Sequence, residues 1–319
     1  SRQLLFYIGL IKDLEYQLKN TELSFEINED YINFLAYCET FMVESNGSEI
    51  PLDFKPIQLI EYDPIFSMKK MVSVPSINTM ANYPIKLIGE GSYAKVFKYK
   101  DEFYQKFFVI KRANNDLNSK EKERFKKEYE VMKELSSPYV IEVYRFDDEK
   151  MEYYMECADE TLYDFIQRNN TKLTSGERKN LGLQILRGFK YISSKNYLHR
   201  DISFKNILIF NYEDTKVIKI SDFGLVKDKQ SKLTSFGSEV KGTLNDGNLA
   251  IIGFGNYSIE YETFALTRLL LFVLTGKYNL ERISDERVKQ FVLKGVSPKL
   301  EDRYQSIEEI TQAFLEVFK

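Results

Sequence analysis

Two short stretches of this chain place two aspartates and an asparagine at fixed spacing. The first reads Tyr197-Leu198-His199-Arg200-Asp201-Ile202-Ser203-Phe204-Lys205-Asn206, and Ser221-Asp222-Phe223-Gly224 follows a short way on. A carboxylate such as Asp201 can accept or orient the proton of an attacking hydroxyl. An amide oxygen and a second carboxylate, Asn206 and Asp222, are the hard oxygen ligands that magnesium takes. Upstream lies Gly89-Glu90-Gly91-Ser92-Tyr93-Ala94-Lys95-Val96. Glycine has no Cβ, so phosphate oxygens can approach the backbone N–H groups there. Two glycines between strands also make an ordinary turn, and the strand that follows them argues against a dinucleotide-binding turn. Phe108-Val109-Ile110-Lys111 is an apolar strand ending in a lysine. Such a lysine reaches phosphates if a carboxylate holds it, and Glu128, in a charged helix, is the natural partner. Taken singly, Lys111 equally fits a solvated charge at a strand end, and Glu128 one surface acid among many.

Together and in this order, these segments resemble the glycine loop, strand lysine, H-R-D-x-x-x-x-N and D-F-G motifs of eukaryotic-type protein kinases. The resemblance covers about residues 84–319. It implies ATP and Mg2+ as cofactors, with Asp201, Lys111, Glu128 and Lys205 as catalytic residues and Asn206 and Asp222 as metal ligands. It implies a nucleotide site from Ile88, Gly89, Gly91, Ser92, Val96, Val109, Lys111, Met155, Glu156 and Ala158. Met155 stands where the family has its gatekeeper, and Glu156 to Ala158 where it has the hinge that receives adenine. Met132, Val143, His199 and Phe223 match an apolar stack, which makes His199 scaffold rather than base. Thr263 to Gly276 resembles the helix that anchors the catalytic loop, with Glu262 where the family usually has aspartate.

The pattern also departs from the family. Ala94 replaces the third glycine. Ser203 stands where Ser/Thr kinases usually have lysine, while Lys205 matches the place where tyrosine kinases put arginine. It can bring positive charge to the transferring phosphate or simply face solvent. No A-P-E motif follows Lys241-Gly242-Thr243, so Arg303 lacks its usual glutamate and Glu260 is the candidate substitute. Little chain separates Gly276 from the last helices, so the substrate- and partner-binding helix of that region is expected to be shortened. Ser231, Thr234, Ser235 and Ser238 lie among lysines, and Arg200 could pair with a phosphate placed on one of them.

Composition narrows the alternatives. His199 is the one histidine, which excludes histidine pairs and histidine-rich metal centres. With 45 basic against 48 acidic residues, net charge exerts no pull towards nucleic acid or anionic membrane. Cys38 and Cys157 make neither a disulfide framework nor a metal pattern, so both are expected as thiols in a reducing, cytoplasmic compartment. The apolar run Leu4 to Leu10 falls far short of the ~20 residues a membrane span requires.

The positioning elements follow from periodicity. Leu4, Ile8, Ile11, Leu14 and Leu18 predict a helix, and Tyr31, Phe34, Leu35, Cys38 and Phe41 a second one capped by Asn28. Extended or irregular chain is expected through Pro64 and Pro75 to Pro84. Then come a hairpin around the glycines, a strand at 107–110, a helix at 119–135, strands at 140–146 and 151–155, and helices at 174–194, 259–275 and 303–318. The fold class is α+β, two-lobed as in protein kinases. A mostly helical extension, 1–83, is expected to pack on a β-rich N-lobe, 84–158, which is followed by a larger helical C-lobe, 159–319. The expected function is ATP- and magnesium-dependent phosphorylation of a hydroxyl in a protein substrate, serine or threonine first, with autophosphorylation in trans and no nucleic acid or membrane as partner. A small-molecule kinase of the aminoglycoside or choline type, or a pseudokinase acting as an interaction module, would share parts of the pattern.

Overall fold

The computed structural model describes residues 2–18, 25–43, 48–56, 66–68, 71–75, 80–223, 227–228, 244–280 and 283–319. The chain divides into two compact units, Ser1–Glu90 with Val96–Val109, and Gly91–Lys95 with Ile110–Lys319.

The first unit holds helices α1 (Arg2–Leu18) and α2 (Glu29–Glu39), strands β1 (Phe25–Ile27), β2 (Phe66–Met68), β3 (Met71–Pro75), β4 (Met80–Pro84) and β5 (Lys86–Glu90), most of β6 (Ala94–Asp101) and the first half of β7 (Lys106–Ala113). Both helices stand where the apolar spacing puts them. Asn28 caps α2 by accepting the Asp30 N–H at 3.0 Å, with Glu29 and Asp30 in the first turn where the helix dipole favours acids. Lys12 ties α1 to Glu39 at 2.6 Å. The stretch expected to be extended or irregular contains β2, β3 and β4: β3 pairs antiparallel with β4, and β2 pairs antiparallel with β1, which lies between the two helices in the chain. Tyr83, Tyr99 and Phe108 stack at centroid distances of 5.5 and 5.7 Å.

The second unit adds the end of β7, α3 (Ser119–Glu134), β8 (Val143–Asp147), β9 (Glu152–Glu156), β10 (Glu160–Thr161), α4 (Leu162–Asn169), α5 (Ser175–Ser194), β11 (Tyr197–Leu198), β12 (Ile207–Asn211), β13 (Lys216–Ile220), β14 (Lys227–Asp228), α6 (Leu249–Ile252), α7 (Ile259–Thr275), α8 (Glu286–Gly295) and α9 (Ile307–Glu316). Strand β9 lies between β7 and β8. Capping boxes start α3 (Asn118 with Glu121) and α5 (Thr174 with Glu177). Strand β8 begins later than its apolar pattern predicts, because Ile141 donates its N–H to the Ile220 carbonyl at 2.9 Å instead of joining the ladder. The apolar helix α7 is buried on most sides against α5, α8 and α9. It stops at Gly276, whose φ of +69° suits glycine and where a Cβ would overlap Asn170. A strand-rich region followed by a larger helical one, with a helical segment in front, is the α+β arrangement expected. Among the described residues no helix is long and apolar enough to cross a membrane.

Candidate active site

The hairpin of β12 and β13 decides where the metal-ligand candidates meet. Its register pairs Ile207 with Ile220, so Asn206 before one strand and Ser221 after the other become neighbours. The Asn206 carbonyl accepts from Ser221 N–H at 2.9 Å and from Ser221 Oγ at 3.1 Å. Asn206 also donates through Nδ2 to the Asp201 carbonyl at 2.8 Å, which closes the loop Asp201–Asn206 on itself. Asp201, Asn206 and Asp222 are thereby drawn together. Two residues of this loop system, Arg200 and Asp222, have positive φ, +69° and +65°, which side-chain-bearing residues adopt at a cost of about 1–3 kcal/mol.

His199 is fully buried between Phe189 and Phe223, with ring centroids 5.8 and 4.8 Å away. Its Nε2 faces the Ser221 carbonyl at 3.0 Å and its Nδ1 faces the Asp201 N–H at 3.3 Å. A carbonyl only accepts and an amide N–H only donates, so these partners select the neutral tautomer protonated at Nε2. Such a ring positions the loop and abstracts no proton. The other three members of the expected stack, Met132, Val143 and Phe223, are buried in one apolar cluster. Glu262, buried at the start of α7, accepts the N–H groups of His199 (2.8 Å) and Arg200 (3.2 Å) and the Tyr257 hydroxyl (2.8 Å).

Lys111 comes to this cluster from β7. Its Nζ lies 2.6 Å from Glu128 Oε1 and 3.2 Å from Asp222 Oδ1. Glu128 stands on the buried face of α3 with Phe125, Val131 and Met132, where a lone carboxylate would be costly and must be partnered. Burial pulls the Lys111 ammonium down, but the carboxylates of Asp222 and Glu128 outweigh it and hold the group charged, well above its usual range. Burial pushes the Glu128 carboxyl up, against the pull of Lys111.

The glycine loop is braced from β7 as well. Asn114 Nδ2 donates to the carbonyls of Gly91 and Ser92, each at 3.2 Å, and its N–H to the Tyr93 carbonyl at 2.9 Å. Gly91 and Ser92 are exposed. Gly91 does not have positive φ, and a Cβ on it would meet only the Ala94 carbonyl, at 3.8 Å. Among the described residues nothing within this unit requires glycine there.

A family model described as "Protein kinase domain" matches residues 84–318. The chain belongs to the protein kinase family. Among curated relatives, "Cell division control protein 2 homolog 2" of Trypanosoma brucei brucei is 30% identical over 159 residues, 49% of this chain and 46% of that protein. "Serine/threonine-protein kinase atg1" of Dictyostelium discoideum is 29% identical over 214 residues, 63% of this chain and 31% of that protein. "Probable serine/threonine-protein kinase CCRP1" of Zea mays is 28% identical over 202 residues, 60% and 31% respectively. The matched region spans less than half the length of each of these relatives.

The remaining site candidates of this kinase domain are distributed as follows. Met155, Glu156 and Ala158 are half-buried at and beyond the end of β9. Glu156 uses its N–H on the Glu142 carbonyl (3.0 Å) and its carboxylate on the Glu142 N–H (2.7 Å) and Lys219 (2.5 Å). In the first unit Ile88 is exposed, Val109 is buried, and Gly89 packs beside Val96, to whose Cβ an added Cβ would come within 3.6 Å. Lys205 is exposed, outside the hydrogen-bonded cluster. Gly224 and the hydroxyls of Ser231, Thr234, Ser235 and Ser238 lie outside the described residues.

Two expectations are corrected. Arg303 is not served by Glu260. Its partner is Asp246, at 2.5 Å, with the guanidinium buried against the rings of Tyr261 and Phe264. Glu260, in the first turn of α7, is bonded to Ser258 instead. Arg200 is not open to a phosphate. It is 2% exposed, donates to the Phe254 carbonyl at 2.8 Å and stacks on Phe254 and Tyr257. Three structural partners gave no signal of their own in the sequence: Asn114, Tyr153 (whose hydroxyl meets Glu128) and Asp246. Each acts through a contact distant in the chain.

Proposed function

We propose that this chain is an ATP- and magnesium-dependent protein kinase that phosphorylates serine or threonine hydroxyls, in other proteins and in trans on copies of itself. The observation that carries the reading is the convergence of Lys111, Glu128, Asp201, Asn206 and Asp222 in one cluster. The donor set suits magnesium. Asp222, 40% exposed at its side chain, offers a carboxylate, and Asn206, whose Nδ2 is engaged, offers its amide oxygen. Magnesium-bound ATP would supply the phosphoryl group together with the divalent charge that neutralises it. Lys111, fixed by Glu128, holds phosphate oxygens, and the Gly91–Ser92 backbone braced by Asn114 covers them. Asp201 orients the acceptor hydroxyl, and Lys205, exposed four residues on, supplies positive charge to the group in transfer. Met155, Glu156 and Ala158 face the adenine. Positioning and charge neutralisation do most of the catalytic work in such chemistry. The names of the relatives and the Gly242-Thr243 pair favour serine and threonine over tyrosine. Two thiols and no disulfide fit a cytoplasmic setting.

The test is transfer from γ-labelled ATP with magnesium, comparing the wild type with Asp201→Asn, with and without a generic protein substrate. Label on protein that falls at least 100-fold in the variant, and phosphoserine or phosphothreonine after hydrolysis, is the expected result. Label on small metabolites instead would make the chain a small-molecule kinase. Nucleotide binding without any transfer would make it a pseudokinase.

A further inference from the structure

Strand β9 offers Tyr153 and Tyr154 side by side, and alternation along a strand sends them to opposite faces. Tyr153 is 1% exposed, and its hydroxyl donates to Glu128 Oε1 at 2.6 Å. That same oxygen receives Lys111 at 2.6 Å. The rings of Phe125 and Tyr129, 5.3 and 5.8 Å away, fix the tyrosine in place from α3. Lys111 has a second carboxylate within reach, Asp222 at 3.2 Å, so its position depends on which anion is held more firmly. We propose that Tyr153 is a positioning residue, whose hydroxyl pins the Glu128 carboxylate so that Lys111 meets the nucleotide phosphates at a fixed place. The proposal rests on the kinase reading above, and deepens it. A phenylalanine would pack equally well between Phe125 and Tyr129, so packing does not account for the hydroxyl. A charge-assisted hydrogen bond is worth about tenfold or more in an equilibrium.

The neighbouring tyrosine provides a matched control. Tyr154, 3% exposed, donates to Glu152 Oε1 at 2.8 Å, and Glu152 pairs with Arg112 rather than Lys111. Affinity for a fluorescent, non-hydrolysable ATP analogue with magnesium is measured for the wild type, Tyr153→Phe, Tyr154→Phe, Glu128→Ala and the Tyr153→Phe/Glu128→Ala double variant. Glu128→Gln replaces Glu128→Ala if the latter does not fold. Tyr153→Phe is expected to weaken binding about tenfold, Tyr154→Phe less than about twofold, and Tyr153→Phe to add nothing once Glu128 is gone. In turnover, KM for ATP rises in Tyr153→Phe while KM for the protein acceptor stays. Unchanged affinity in Tyr153→Phe, equal losses in both tyrosine variants, or the same loss with and without Glu128 would each overturn the assignment. Phosphate transfer by the wild type is assayed in parallel. Its absence removes the kinase reading, while the binding cycle still decides the role of Tyr153.

Discussion

Adjacent residues on β7 and on β9 build two triads of the same chemistry on opposite faces of one pair of strands. One is Lys111, Glu128 and Tyr153; the other is Arg112, Glu152 and Tyr154. Each joins a cation, a buried carboxylate and a tyrosine hydroxyl, and they differ in where the carboxylate comes from. Glu152 lies on the same strand as Tyr154, one strand away from Arg112, and is fully buried, so strand pairing alone holds the triad together. Arg145 adds a cation over the Tyr154 ring, 4.1 Å from its centroid. Glu128 comes from α3, and Asp222 joins from the loop after β13, so three separately placed elements must meet at Lys111. A triad held within one pair of strands can contribute only stability. One assembled from separate elements reports their alignment, and that is the property the phosphate-holding role proposed for Lys111 requires.

The strongest way to break this comparison is to remove the two cations in turn. Lys111→Met is expected to lower kcat/KM for phosphoryl transfer about 1000-fold, roughly 4 kcal/mol, by deleting a positive charge aimed at the phosphates. Arg112→Met should leave turnover within about twofold, and steady-state kinetics on the two variants would show it. Similar losses in both would mean that the faces are not functionally distinct. A buried pair remote from the triads sharpens the stability side. Asp246→Asn strands the Arg303 guanidinium, which is 1% exposed, without an anion. Denaturant unfolding should register a loss of about 3 kcal/mol, because a buried charge left alone costs that much. A loss below about 1 kcal/mol would show that Arg303 finds another partner, with its bond to the Ser297 carbonyl as the residual anchor.

Lys111, Asp201, Asn206 and Asp222 are legible in the sequence because each sits in a contiguous motif, and the β12–β13 hairpin that joins two of those motifs is itself local. Glu128 is legible only through the resemblance, since taken singly it is one acid among many in a charged helix; its place on the buried face with Phe125, Val131 and Met132 emerges from the structure. Tyr153 and Glu152 are not legible, since their roles depend on which strand β9 pairs with and on the approach of α3. Met151-Glu152-Tyr153-Tyr154-Met155 gives no alternation from which the inward face could be chosen. Asp246 and Arg303 are 57 positions apart, and with no A-P-E motif in the chain Glu260 is the substitute the sequence offers. Glu260 is occupied at the N-terminus of α7 by Ser258. The burial of Arg200 also escapes sequence reading, because a positive φ at a non-glycine residue has no signature in the chain.

The smallest expected effect is at the carboxylate of the second triad, and it is the most discriminating. Glu152→Gln keeps the shape of the side chain and one acceptor oxygen, but replaces a charged bond to Arg112 at 2.6 Å by a neutral one. Arg112 is 30% exposed at its side chain and can turn part of its charge to water, so the full penalty of a stranded buried ion does not apply. The Tyr154 hydroxyl can donate to the remaining oxygen or accept from the new amide. A loss of about 1–2 kcal/mol is therefore expected, read as a lower melting temperature with KM for ATP and kcat both unchanged. If KM for ATP rose with the fall in stability, the strands would be transmitting strain from one face to the other. The second triad would then belong to the site, and the distinction between assembled and strand-held networks would fail at β9.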